Sequence, residues 1–197
     1  MEKFFELFKR DLKTERLELH ILEPTQENAR LVWDVLKNEN PEDFRYIHYS
    51  PKYDKPLPES EAETLETMKN YADAFKNNAV LWYVFHQGQL IGFHGVAYNQ
   101  ENDSVGPGNV WFVKSAWGHG FNHEVQDMLE KITFEDFGAH RMSRQCMAEN
   151  ERSIKSIMSS GYHLDGRLRE WVRHDDGTWT DHLLFSKLAS EYKNQDE

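Results

Sequence analysis

The chain has 197 residues, and at roughly 150 residues per domain this predicts a single domain spanning 1–197 with a modest extension. Apolar residues make up 39% and charged residues 29%, too rich in core formers for disorder and too interrupted by charge for a membrane span. Lys plus Arg is 23 and Asp plus Glu is 34, a formal charge of −11 that argues against general affinity for nucleic acid or anionic lipid and suits a cationic or neutral substrate. The single cysteine, Cys146, excludes an internal disulfide framework and a Cys-rich zinc site, and fits a reducing, cytoplasmic compartment. Glu2, Glu6 and Lys9 interrupt the apolar start and no small-residue cleavage site follows, so no signal peptide is read.

In chain order, Leu17, Leu19 and Ile21 alternate with Glu18 and His20, which predicts a half-buried strand. Thr25 can cap a helix with Leu31, Val32, Val35 and Leu36 inward. A polar stretch from Asn38 to Pro58 reads as an irregular loop, and Ser60 to Phe75 as a helix with Leu65, Met68, Ala72 and Phe75 on its core side. Leu81 to Phe85 and Leu90 to Ala97 form a hairpin about Gln87 and Gly88. Asn99 to Gly108 reads as a loop and Val110 to Val113 as a short strand. Gly118, His119 and Gly120 then open a helix with Phe121, Val125, Met128, Leu129 and Ile132 inward, closed by Gly138. Strand-like Arg141 to Ala148 follows. Asn150 starts a short helix ended by Gly161, and Leu168 to Arg173 and Trp179 to Phe185 make a terminal hairpin about Asp175, Asp176 and Gly177. The order is β-α-α-β-β-β-α-β-α-β-β, an α+β pattern with a mixed sheet.

The strand, glycine turn and helix around Gly118 form a potential anion site, because the orphan N–H groups of a first helical turn point outward and the helix dipole favours negative charge. Two glycines before a helix also make an ordinary tight turn. The segment is not a P-loop, since no Lys-Ser or Lys-Thr pair follows, and it lacks the third glycine of a dinucleotide fingerprint.

Trp117, Gly118, His119, Gly120, Phe121 and Glu124, the run Phe137 to Arg141, and Asn150, Ser153, Gly161 and Tyr162 together resemble the GNAT acyltransferases. Within them the likeness is to the RimJ/RimL-type N-acetyltransferases, which Leu12 to Leu17 and Gly166, Leu168, Arg169, Gly177, Asp181 and Leu184 also resemble. The likeness covers about residues 12–190. It implies the GNAT fold, a mixed central sheet with helices on both faces, with acetyl-CoA as co-substrate and no metal. It further implies that the backbone of Gly118, His119, Gly120, Phe121 and Asn122 cradles the pyrophosphate. The strand ending at Val113 and Lys114 would meet the pantetheine, and Asn150 and Ser153 would be cofactor-side polar residues. His119 stands where members often carry Lys or Arg between the two glycines. The tyrosine that many members use as general acid would fall near Ile157, which leaves Ser153 as the candidate acid.

An α-amino group with pKa near 7.7–8.0 is roughly a tenth deprotonated at pH 7, whereas a lysine near 10.4 carries about 4.6 kcal/mol of penalty. With no dedicated base in view, an N-terminal α-amine, as of a ribosomal protein, or a weakly basic small amine such as a polyamine or antibiotic is favoured over lysine. Asp165, Glu170 and Glu42 could pass a proton through water, although each reads first as an ordinary solvated or paired carboxylate. The rival reading is a non-catalytic acyl-CoA-binding module. His119 and His123, at helical spacing, lack a third metal ligand of suitable type. His86, His94, His140 and His174 read as strand-surface or hydrogen-bonded residues, and Cys146 as a small core residue. A monomer or homodimer is expected. The negative charge should spare the turn at 118–122, because the cofactor is an anion.

Overall fold

In the computed structural model, which describes residues 1–47, 56–174 and 176–193, the alternation around Leu17 is realised as β2 (Leu17–His20), with Leu17 and Leu19 fully buried. Two compact units are present: Met1–Ala97 with Gly108–Val125, and Tyr98–Pro107 with Gln126–Glu197. The fold is mixed α+β with a mostly antiparallel open sheet, as the element order predicts.

In the first unit, β1 (Leu12–Lys13), β2, β3 (Ala79–His86), β4 (Gln89–Asn99) and β5 (Ser104–Phe112) are neighbours in that order, β4 and β5 also reaching into the second unit. The β3–β4 hairpin turns at Gln87 and Gly88, both with positive φ (50° and 76°), the type I′ geometry that matches strand twist. A short helix that periodicity did not reveal, α1 (Glu2–Phe8), buries Phe4 and Phe8; seven residues are too few to show a helical repeat. It is tied down nearby by the Trp82 indole, which donates to the Arg10 carbonyl at 2.8 Å.

Helix α2 (Gln26–Leu36) starts on the expected Thr25 cap, whose hydroxyl accepts from Asn28 N at 3.2 Å. Its buried residues are Ala29, Val32 and Leu36, so the inward face is rotated from the expected one and Leu31 is exposed. In α3 (Glu61–Phe75), capped by Ser60, the buried residues are Thr64, Thr67, Met68 and Tyr71, which corrects the face expected from Leu65, Ala72 and Phe75. Burial of Thr64 is inexpensive because its hydroxyl donates to the Ser60 carbonyl at 2.9 Å. Of the stretch 38–58, Pro41–Phe44 forms a 3-10 turn capped by Asn40, while 48–55 lie outside the described residues, as does Asp175 of the terminal turn.

The loop expected over 99–108 shrinks to Gln100–Asp103, because β4 and β5 are longer than predicted. Gly108 serves close strand approach: a Cβ there would lie 2.5 Å from the Gly95 carbonyl carbon. The strand ends at Phe112, leaving Val113 just beyond it. His94 is buried in β4.

In the second unit the order is β5, β6 (Arg141–Met147), β8 (Trp179–Leu188), β7 (His163–Arg173). The ladder of β5 with β6 is parallel and registers Ser104 with Arg141 and Val105 with Met142. Helix α4 (Phe121–Lys131) runs on into a π-turn, Ile132–Phe137, closed by Gly138 at φ 83°. Helix α5 (Glu151–Ser159) follows β6, and α6 (Ala189–Lys193) ends the described chain. Among the described residues no helix is long and apolar enough to cross a membrane.

Candidate active site

Beyond β5 the chain is held closely before it reaches the glycines. Val113 N donates to the Ile91 carbonyl at 2.9 Å, and the Trp117 indole donates to the Phe112 carbonyl at 2.8 Å. Gly118 and Gly120 then both take φ 78°, a conformation that costs an L side chain about 1–2 kcal/mol. A Cβ on Gly118 would meet nothing within 4 Å, and one on Gly120 only Arg16 Nη2 at 3.7 Å, so the backbone of the turn faces open space. Glu124 N to the Gly120 carbonyl, at 3.0 Å, is the first of the α4 bonds. The N–H groups of Phe121 and Asn122 thus precede the intrahelical ladder, as a helix start requires. Asn122 Oδ1 is buried without a hydrogen-bond partner among the described residues. Open approach, orphan donors and the positive end of a dipole are together suited to an anion.

A brace from the first strands fixes this turn. The Glu124 carboxylate accepts from the Thr14 hydroxyl at 2.5 Å, from Arg16 N at 2.8 Å and from Arg16 Nε at 2.6 Å. Burial pushes its pKa up, and the Thr14 and Arg16 hydrogen bonds outweigh this, leaving Glu124 below the ordinary glutamate value. Arg16 Nη1 donates to the His119 carbonyl at 3.0 Å, and its guanidinium lies 4.7 Å from the Phe121 ring centre. The His86 and His119 rings also flank Phe121, at 4.7 and 5.6 Å. No motif spacing reveals this brace, because its members lie more than a hundred positions apart; only the likeness carried by Leu12 to Leu17 pointed to that segment.

Lys114 does not present a free charge. Its ammonium pairs with Asp43 at 2.7 Å and lies 4.0 Å over the Trp117 ring, while its backbone N–H donates to Glu39. Val113, Lys114 and Gly118 to Asn122 thus fall in one continuous stretch of the first unit.

Asn150 and Ser153 fall together in the second unit, at the start of α5. Asn150 Oδ1 accepts from Ser153 N at 3.1 Å, a helix cap. The Ser153 hydroxyl bonds the buried Cys146: burial raises the thiol's pKa and Ser153 opposes that rise. Ile157, where the family tyrosine would fall, is a buried core residue. Tyr162 offers no substitute, since burial pushes its phenol far up. Of the carboxylates considered as proton acceptors, Asp165 is held by Arg141 at 2.5 Å and by the Ser186 hydroxyl at 3.0 Å. Glu170 sits in a β-bulge at φ 51°, and Glu42 is exposed beside Arg45. Among the described residues no three His, Cys, Asp or Glu side chains are grouped so as to hold a metal.

The chain matches the acetyltransferase (GNAT) domain family over residues 16–163, well over half its length, and belongs to that family. It is an acyltransferase with acetyl-CoA as co-substrate. The Bacillus licheniformis protein p20, an uncharacterised N-acetyltransferase, is 25% identical over 183 residues, 92% of this chain and 97% of that protein. YoaA of Bacillus subtilis, also an uncharacterised N-acetyltransferase, is 26% identical over 96 residues, 49% of this chain and about half of its own length (52%). Among solved structures, a GCN5-related N-acetyltransferase from Brucella melitensis superposes with TM-score 0.77 at 18% identity, covering 93% of this chain and 80% of that one. RimL, a ribosomal L7/L12 alpha-N-protein acetyltransferase in complex with coenzyme A, gives 0.74 at 15% identity, covering 92% and 99%.

Proposed function

We propose that this protein is a RimJ/RimL-like N-acetyltransferase, one GNAT-like domain working in the cytoplasm, whose acceptor is a protein N-terminal α-amine such as that of a ribosomal protein. The state of the carboxylates carries this reading: Asp165 is tied to Arg141 and Ser186, and Glu42 is solvated beside Arg45. With none of these described carboxylates poised as a base, an acceptor that is partly unprotonated at neutral pH reacts best, and an α-amine meets that condition while a lysine does not. The likeness to RimL, whose name specifies an α-amino acetyltransferase, supports the same acceptor.

In this reading the backbone of Gly118 to Asn122 receives the pyrophosphate, Val113 and Lys114 flank the pantetheine, and Asn150 lies on the cofactor side. The acceptor amine attacks the thioester carbonyl, the C–S bond breaks, Ser153, at the start of α5, protonates the departing thiolate, and the proton lost by the attacking nitrogen passes through water, from which Ser153 is reprotonated. The carrying experiment is a panel of peptides differing in their N-terminal residue, set beside polyamines and aminoglycosides, with free CoA release as the readout. Peptide acetylation at the α-amine supports the proposal. Exclusive acetylation of small amines reassigns the acceptor, and acetyl-CoA binding without turnover on any acceptor identifies a non-catalytic binding module. Ser153→Ala is expected to lower kcat about 10–100-fold with little change in acetyl-CoA affinity; an unaltered rate removes Ser153 from the acid role.

A further inference from the structure

We propose that Arg16 supplies the permanent positive charge of the acetyl-CoA site, binding the pyrophosphate directly through Nη2; this rests on the assignment of the turn at 118–122 to that group. The turn needs such a charge and does not carry one. Gly118, His119, Gly120, Phe121, Asn122 and His123 include no lysine or arginine, and Lys114 is engaged by Asp43 at 2.7 Å. Glu124, in the first turn of α4, brings a negative charge to the place where a phosphate should sit. A dipole worth about half a charge cannot by itself offset that carboxylate and a pyrophosphate.

Arg16 is already oriented for the task. Its backbone N–H and Nε are spent on Glu124 at 2.8 and 2.6 Å, and Nη1 on the His119 carbonyl at 3.0 Å. The Phe121 ring, 4.7 Å away, fixes the guanidinium plane. Nη2 is the donor left without a described protein acceptor, and it is the atom that a Cβ on Gly120 would meet, at 3.7 Å. The side chain is 43% exposed, so the group is pre-oriented yet open to solvent. A planar, always-charged fork held by two hydrogen bonds loses little freedom on meeting a phosphate. The same residue neutralises Glu124, so the overall acidity of the chain is cancelled where an anion must bind.

The test compares two donors on the full-length protein: acetyl-CoA, and S-acetyl-pantetheine, which lacks the pyrophosphate, with Kd read by ligand-observed NMR or calorimetry. Arg16→Gln is expected to raise the acetyl-CoA Kd about 10–100-fold, as for loss of a charge-assisted hydrogen bond, and to leave S-acetyl-pantetheine within about twofold. Arg16→Lys, which keeps the charge and loses the fork, should weaken acetyl-CoA about 3–10-fold with the same selectivity, and serves alone if the glutamine variant does not fold. An unchanged acetyl-CoA Kd overturns the proposal. Equal weakening of both donors also overturns it, since a lost pyrophosphate contact cannot weaken a donor that carries no pyrophosphate. A Gly120→Glu variant that binds acetyl-CoA like the wild type would overturn the placement of the pyrophosphate itself, and the role of Arg16 with it.

Discussion

Two glutamates six residues apart on α4 show what burial does to the same chemistry. Glu124, in the first unit, pairs with Arg16 at side-chain exposures of 17% and 43% and orders a turn that faces solvent. Glu130, in the second unit, pairs with Lys187 Nζ at 2.6 Å, with exposures of 5% and 2%, and with Arg144 at 3.5 Å. Arg144 and Lys187 both lie over the Tyr162 ring, at 4.5 and 5.0 Å. The open pair adds little to stability, because water screens it, but it places the donors of the candidate cofactor turn. The buried cluster offers no approach to a ligand, and its weight is structural: each charge there is tolerable only while its partner remains.

The sharpest way to break this comparison is Glu130→Gln. The substitution leaves Arg144 and Lys187 buried with no counter-charge among the described residues, at a cost of about 3–5 kcal/mol in unfolding free energy. Urea unfolding should show it as a fall in midpoint with little change in slope. A loss below about 1 kcal/mol would mean that the cluster is hydrated and behaves like the Glu124 pair. Next in size is Gly120→Glu. A carboxylate there would extend from a backbone at φ 78° into the space beside Arg16, occupy the proposed phosphate position and repel it. The expected result is at least a 100-fold loss of acetyl-CoA affinity, read by thermal stabilisation or calorimetry, with only about 1–2 kcal/mol of lost stability.

The two clusters also mark where the sequence was readable. The strand-turn-helix around Gly118, the Thr25, Ser60 and Asn150 caps and the Gln87-Gly88 hairpin depend on neighbours a few positions apart, and local pattern finds them. The site residues that the family resemblance implies lie in two short stretches, 113–122 and 150–153. Nothing local connects Thr14 and Arg16 to Glu124, or Lys187 to Glu130, because those pairings arise only from tertiary folding. The α3 face was misjudged because a threonine that bonds its own helix can be buried as readily as a leucine. The segment Gly106 to Gly108 resembles a turn by composition, yet Gly108 serves a close strand contact.

The smallest predicted effect is the most specific to the exposed pair. Glu124→Gln keeps an oxygen for Thr14 and the Arg16 backbone and removes only the charge, so its cost at neutral pH should be about 1 kcal/mol or less. In the folded protein the Glu124 pKa lies below its ordinary value, so the carboxylate is stabilised by its folded surroundings. The sign follows from linkage: that stabilisation is fully present above the unfolded pKa of about 4.3 and is lost as pH falls through the lower folded value. The difference in unfolding free energy between wild type and Glu124→Gln should therefore be flat from about pH 5 to neutrality and shrink at lower pH. Urea midpoints measured at pH 7, 5 and 3.5 trace the curve. A difference that grows on acidification would show that Glu124 is destabilised by its burial, and the brace from Thr14 and Arg16 would then be too weak to hold the turn.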